Sequence, residues 1–152
     1  MGSDTTFIPA FEGNWQYQSF LLLPSDEQLA AAPGTNVIAK KWAMGKLLLA
    51  DGTEMEAAGQ LKFAPGIELK VHLRFTPGDA GKPAEFKGTG TGETGPTKGA
   101  VYELSGWAFP DATGKLAGCC GSVRAARGSD AYPDTDLGGM PTGTIGSFSI
   151  TK

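Results

Sequence analysis

Two neighbouring segments of the chain alternate apolar and polar residues with the period of two that is typical of a β-strand. In the first segment one face carries the apolar residues Met55, Ala57, Gly59, Leu61 and Phe63. In the second segment one face carries Ile67, Leu69, Val71, Leu73 and Phe75. Antiparallel sheets with one apolar and one wet face show this pattern. The turn between the segments predicts a hairpin with Phe63 and Ile67 at its paired ends, both facing inward.

Six further segments are rich in β-forming residues and are separated by turn residues such as Asp51-Gly52 and Gly95-Pro96. Connections this short join antiparallel neighbours. We therefore predict an all-β fold, an eight-stranded antiparallel up-and-down barrel, because closing the sheet removes both open edges. The predicted strands are Asn14–Leu23, Val37–Leu49, Glu54–Phe63, Ile67–Phe75, Ala84–Glu93, Ala100–Phe109, Leu116–Arg127 and Thr142–Thr151. Residues 1–152 are expected to form one domain, with residues 1–10 as an extended arm.

One short helix is predicted in the first connection. Ser25-Asp26-Glu27-Gln28 resembles a capping box, the next four residues permit a helix, and Pro33-Gly34 ends the run.

The two long connections, Pro24–Asn36 and Gly128–Pro141, fall at the same end of an up-and-down barrel. Long loops at one rim are a usual place for a lid or for binding loops. We predict that Ser129–Met140, which contains acids, an aromatic residue and a Gly-Gly pair, is such a lid. The alternative is that both loops are passive surface insertions.

The inward face of the fifth predicted strand carries Phe86 and the three glycines Gly88, Gly90 and Gly92. Glycines on the core side leave volume unfilled unless a large neighbouring side chain enters it. An eight-stranded barrel has an interior that is either filled by side chains or holds one small ligand. The sequence leaves both outcomes open.

Composition excludes several classes of protein. Glycine accounts for 23 of 152 residues, about twice the usual ~7%, yet 40% of residues are hydrophobic, so the chain is not disordered. The net charge is −3, which argues against a nucleic-acid partner, because phosphate binding requires a clustered positive surface. No run approaches the ~20 apolar residues of a membrane-spanning helix, so no membrane partner is predicted.

The only two cysteines, Cys119 and Cys120, are adjacent. Neighbours on a strand point to opposite faces, and a bridge between them would strain the peptide. We therefore expect two reduced thiols and a cytoplasmic protein. The sequence leaves open that Met1-Gly2-Ser3 replaces a removed leader.

The segment Phe11-Glu12-Gly13-Asn14-Trp15 resembles the Gly-x-Trp opening of the calycins, the lipocalin and avidin-like barrels. In those families the tryptophan closes one end of the barrel and the first connection caps the other. The resemblance therefore implies a calycin-like barrel with these two features. The disulfides or secretion of many lipocalins are not expected here, and a barrel of the allene oxide cyclase type is a second candidate on strand count.

Few residues offer catalytic chemistry. The only histidine, His72, shares a face with Glu68 and Arg74, so we expect it to be exposed, and a lone histidine predicts no metal site. The sixth predicted strand is ambiguous, because either Tyr102 or Glu103 with Ser105 faces inward. A buried carboxylate would have a raised pKa and could act as an acid or base.

The main hypothesis is a barrel that binds a small hydrophobic or aromatic molecule without a cofactor. Its predicted contacts are Tyr17, Trp42, Phe63, Leu69, Phe75, Phe86, Gly90 and Tyr102. The alternative is a cofactor-free isomerase, cyclase or hydro-lyase that acts on a small hydrophobic substrate in the same cavity. Its candidate catalytic residues are Glu103, Tyr102 and Arg124, where either Arg124 or Arg127 is able to anchor an anion. A third hypothesis is that the protein is a structural domain with a filled interior and forms a homo-oligomer.

Overall fold

A computed structural model describes residues 13–21, 41–51, 56–64, 66–76, 83–113, 115–135 and 141–152. These residues form eight antiparallel strands that close into one barrel, in which each strand pairs with its neighbours in sequence and the last pairs with the first. The strands are β1 (Gly13–Leu21), β2 (Lys41–Asp51), β3 (Glu56–Ala64), β4 (Ile67–Thr76), β5 (Ala84–Thr91), β6 (Val101–Pro110), β7 (Leu116–Arg127) and β8 (Ile145–Thr151). The predicted all-β, eight-stranded antiparallel barrel is confirmed.

The observed bounds of β7 are those predicted from the sequence. β8 begins at Ile145 instead of at the predicted Thr142. The cause is a turn at Gly143, where the backbone has a φ of 91°. The Gly143 N–H donates to the Ala125 carbonyl, so the chain turns before it enters the last strand.

The tip of the β3–β4 hairpin also differs from the prediction. Ile67 pairs with Ala64 and not with Phe63, because the register shifts between Lys62 and Ala64. Phe63 nevertheless packs against the core as a partly buried residue.

The helix predicted at residues 25–32 and the arm predicted at residues 1–10 lie outside the described residues. The part of the chain that the structure describes contains one 3₁₀ turn, Gly95–Thr97, between β5 and β6. Across that same part of the chain, no helix is both long and apolar enough to cross a lipid bilayer.

The two faces of the barrel wall separate as the alternating pattern predicts. Along β4 the inward Leu69, Val71, Leu73 and Phe75 are at most 3% exposed. The outward His72 is 55% exposed at its side chain, and its Nε2 lies 3.6 Å from Oε2 of Glu56. The inward face of every described strand therefore contributes to one interior.

One end of that interior is filled by side chains. A hydrophobic cluster at this end consists of residues near the start of odd-numbered strands and near the end of even-numbered strands. Its buried members include Trp15, Leu49, Ala57, Phe75 and Phe86. Nζ of Lys152 lies 4.9 Å from the centre of the Trp15 ring on this side. The other end of the interior contains a cavity.

Candidate ligand-binding cavity in the barrel

The barrel encloses a cavity of about 260 Å³. Its lining is largely aliphatic and comes from all eight strands. The lining residues are Tyr17, Ser19, Ala43, Met44, Leu47, Leu61, Phe63, Ile67, Leu69, Val71, Leu73, Gly90, Tyr102, Leu104, Val123 and Ile150. Side chains therefore fill one end of the barrel interior and leave this cavity in the rest.

The cavity lies toward the end that carries the long connections. Ser19 is near the end of β1, Ala43 near the start of β2, and Phe63 and Ile67 flank the turn between β3 and β4. Met44 borders the cavity and is 70% exposed, so the cavity meets the surface beside this residue. β2 pairs with β3 only from Lys46 onward.

The three inward glycines of β5 and its extension differ in the room they leave. A Cβ on Gly88 would lie 2.5 Å from Cδ2 of Leu73, and a Cβ on Gly92 would collide with the backbone of Thr97. A Cβ on Gly90 would lie 3.5 Å from Cδ1 of Leu69, which is ordinary van der Waals contact. Only Gly90 of the three therefore borders open space.

A continuous row of aromatic rings crosses the interior beside the cavity. Centroid distances along the row are 5.7 Å between Phe75 and Phe86, 5.6 Å between Phe86 and Phe148, and 5.9 Å between Phe148 and Tyr17. Phe63 meets Tyr17 edge-on at 6.2 Å. Rings in such contacts hold one another in place, so the cavity has a rigid wall on this side.

The polar side chains in the lining are three hydroxyls, those of Tyr17, Ser19 and Tyr102. The Ala43 N–H donates to Oγ of Ser19 at 3.1 Å, and Oγ of Ser19 lies 3.4 Å from the Ala43 carbonyl oxygen. Ser19 also hydrogen-bonds with the Tyr17 hydroxyl. Ser19 thus connects a cavity-facing phenol to the backbone of β2.

Burial raises the pKa of Tyr17 far above its usual value, because the apolar surroundings disfavour a phenolate. The hydrogen bond from Ser19 lowers this pKa by a smaller amount, and the nearby Tyr102 raises it further. Tyr17 is therefore a neutral phenol at any physiological pH, able to donate a hydrogen bond.

Charged side chains are absent from the lining within the described ranges. Nor does any group of three or more His, Cys, Asp and Glu residues suited to a metal ion occur there. What the arrangement offers chemically is apolar surface, hydrogen-bond donors and acceptors without charge, and exclusion of water.

Of the ligand contacts predicted from sequence, Tyr17, Phe63, Leu69, Gly90 and Tyr102 line the cavity. Phe75 and Phe86 are buried in the core outside the lining. The side chain of Trp42 lies outside the described residues. Sequence reasoning missed Ser19, although its spacing of two from Tyr17 on the inward face of the same strand was a usable signal.

Glu103 and Arg124 do not face the cavity. Both are on the outer wall, with side chains 56% and 51% exposed, and Nη1 of Arg124 lies 3.3 Å from Oε1 of Glu103. The inward face of β6 carries Tyr102 and Leu104 instead, and Ala108 on the same face is fully buried. The expected role of Glu103 as a buried acid or base therefore has no support in its position.

The loops at the rim are tied together on the β5–β7 side. Nη1 of Arg127 donates to the Gly99 carbonyl at 2.8 Å and to Oδ1 of Asp130 at 2.9 Å. The Asp130 N–H donates to the Lys98 carbonyl at 2.7 Å. The described part of the predicted lid, residues 129–135, is thus fastened to the β5–β6 connection, while residues 136–140 lie outside the described residues.

Neither a protein-family model, nor a curated protein, nor a solved structure matches this chain. Its function has to be inferred from the size, lining and surroundings of the cavity.

Proposed function

We propose that this protein binds a small hydrophobic or aromatic molecule in the interior of the barrel. The observation that carries the proposal is the cavity of about 260 Å³ with its largely aliphatic lining. An apolar cavity of roughly 150 Å³ is sufficient for benzene, so this one suits a molecule of about two rings. The driving force is the removal of apolar ligand surface from water.

The expected affinity is moderate. A ligand of about a dozen non-hydrogen atoms that gains roughly 0.6 kcal/mol per atom binds with about 7 kcal/mol. This corresponds to a Kd on the order of 10 μM. The aromatic row beside the cavity favours such affinity, because rings already held in place need little reordering when the ligand enters.

A cofactor-free isomerase, cyclase or hydro-lyase is the second candidate. The neutral Tyr17 hydroxyl favours it, since a phenol that stays protonated is able to polarise a carbonyl group. Such reactions also move a proton, and the described lining offers no carboxylate or imidazole for that step. The cavity therefore supports binding better than catalysis.

The proposal includes a calycin-like relationship. It is supported by the number of strands, their antiparallel closure and the burial of Trp15 at the filled end. The proposal also includes a cytoplasmic location, which is supported by the two free thiols of Cys119 and Cys120.

A fluorescence titration with the neutral two-ring probe 1-aminonaphthalene tests the proposal. We expect saturable enhancement with one probe per chain, and displacement of the probe by naphthalene. Native mass spectrometry of freshly purified protein would identify a ligand that copurifies and would give the number of subunits. Absence of saturable binding at probe concentrations up to the solubility limit would overturn the proposal.

A further inference from the structure

The three hydroxyls of the lining allow the class of ligand to be narrowed. We propose that the natural ligand is an uncharged molecule with one hydrogen-bond acceptor, such as a ketone or aldehyde carbonyl, which receives a hydrogen bond from the Tyr17 hydroxyl. This inference rests on the proposed binding function and adds the polarity and orientation of the ligand to it.

The lining disfavours an anionic ligand such as a fatty acid. A carboxylate in the cavity would lose its hydration without gaining a cation, because no described lining residue is charged. Two cations on the lining strands belong to the outer wall. Lys62 and Lys70 on β3 and β4 have side chains 51% and 65% exposed and face Glu68 and Glu93 there.

The Ser19 hydroxyl leaves the Tyr17 proton available to a ligand. Ser19 lowers the pKa of Tyr17 as a hydrogen-bond donor to the phenolic oxygen, so the Tyr17 O–H is able to donate to an acceptor in the cavity. Oγ of Ser19 accepts from the Ala43 N–H at 3.1 Å and lies 3.4 Å from the Ala43 carbonyl oxygen. A ligand that accepts a hydrogen bond from Tyr17 therefore leaves both hydroxyls paired, and no proton is transferred.

The position of the donor is fixed before the ligand arrives. The Tyr17 ring is stacked on Phe148 with 16° between the ring planes, and Phe63 meets it edge-on. Burial also keeps Tyr17 protonated, so the same atom is a donor in every molecule of the protein. A donor that needs no reorganisation contributes more to affinity and orientation than a mobile one.

The topology sets the orientation of the ligand. In a closed barrel of eight strands, β1 lies across the interior from β5, so Tyr17 faces the open space at Gly90. Leu69, Val71 and Leu104 surround that space. The ligand therefore directs its acceptor to β1 and its apolar body to the hollow between β4, β5 and β6.

Three naphthalenes of similar shape test this inference by calorimetry at pH 8. 2-Acetylnaphthalene carries a carbonyl, 2-ethylnaphthalene carries no acceptor, and 2-naphthoate carries a negative charge. We expect the ketone to bind about 10-fold more tightly than the hydrocarbon, which is the effect of one hydrogen bond. We expect the carboxylate to bind at least ~100-fold more weakly than the ketone.

Tyr17→Phe removes the donor and lets Ser19 keep its bond to Ala43. It is expected to reduce the affinity for the ketone to that for the hydrocarbon and to change the affinity for the hydrocarbon by less than about 2-fold. Tyr132→Phe is the matched control, because Tyr132 is 73% exposed and lies outside the lining. The infrared carbonyl band of the ketone should lie at lower frequency when it is bound to the unmodified protein than when it is bound to Tyr17→Phe.

The outcomes separate this inference from the proposed function. Equal affinity for the ketone and the hydrocarbon with no carbonyl shift would overturn the inference and leave the binding function standing. Tight binding of 2-naphthoate would also overturn it. If none of the three compounds binds, both proposals fail together.

Discussion

Gly90 on β5 and Leu69 on β4 face the cavity side by side, and a Cβ on Gly90 would lie 3.5 Å from Cδ1 of Leu69. This spacing is the local origin of the open volume, because a side chain at position 90 would occupy it without meeting the backbone. Leu73 already fills the equivalent space at Gly88, where a Cβ would lie 2.5 Å from its Cδ2. Of these two glycines, only Gly90 therefore has room for a larger side chain.

Gly90→Leu should fill the cavity and leave the barrel folded. We expect binding of 1-aminonaphthalene to weaken at least ~10-fold while the midpoint of urea unfolding stays the same or rises, because an apolar void is filled. Fluorescence titration and urea unfolding measure the two effects.

Thr89→Leu is the control for this substitution, since it adds an apolar side chain to the exposed outer face of the same strand. It should leave probe binding unchanged. Unaltered binding in Gly90→Leu would mean that the probe sits elsewhere, for example on Trp107, which is 50% exposed.

Glu103→Gln should have little effect. The ion pair of Glu103 with Arg124 is more than half exposed at the carboxylate, and such pairs contribute about 0–1 kcal/mol to stability. Ligand affinity should stay within about 2-fold in the titration described above. A large loss of affinity would contradict the placement of Glu103 outside the cavity. A large loss of any turnover found with a carbonyl substrate would contradict it as well.

The free energy of unfolding should fall above pH 9. Burial raises the pKa of Cys119 from 9.0 to about 12, with the neighbouring Cys120 adding to the effect. The unfolded chain loses this proton near pH 9, whereas the folded protein keeps it until about pH 12. The folded state then binds more protons, so stability decreases with pH between these values, by roughly 2 kcal/mol up to pH 10.5.

Urea unfolding at pH 8 and pH 10.5 measures this loss. Cys119→Ala should lose less stability than the unmodified protein over this range. Tyr17, whose pKa is also raised, is expected to cause part of the loss that this variant still shows. Cys120→Ala is the control, because this thiol is exposed, and it should keep most of the dependence, since burial is the larger cause of the raised pKa of Cys119. An identical pH dependence in Cys119→Ala would contradict the assignment.

Arg127→Gln should release the two rim loops from each other. Its guanidinium contacts the Gly99 carbonyl and Asp130, but the side chain is 43% exposed, so we expect a stability loss of only about 1 kcal/mol. Hydrogen exchange should show the local effect, with the Asp130 amide exchanging at least ~10-fold faster. Arg124→Gln on the same strand should leave that amide protected. Equal protection in both variants would contradict the proposed role of Arg127 in holding the two rim loops together.

The alternating strands were predictable because burial on one face of a sheet leaves a period of two in the sequence. β3 and β4 show that period, and Leu61, Leu69 and Leu73 are buried as expected. β6 was ambiguous because its outer face also carries large apolar residues, Trp107 and Phe109. There the decision comes from packing with neighbouring strands, which a single segment does not reveal.

The glycine stripe illustrates a second limit. From sequence, Gly88, Gly90 and Gly92 are equivalent, and each is able to border a void. Thr97 in the following turn closes the space at Gly92, and Leu73 closes it at Gly88. Which glycine leaves room depends on residues distant in sequence or in another element, so the presence of inward glycines was predictable and the position of the cavity was not.

The pairing of β1 with β8, which brings Gln16 opposite Thr151, has a consequence for synthesis on the ribosome. This seam joins strands from opposite ends of the described chain, so its loop-closure entropy is the largest of any seam and it is expected to form last. A nascent chain that stops before Ile145 would expose the backbone edges of both β1 and β7. Such edges invite pairing with other chains, so truncated products should aggregate before they could hold any guest molecule.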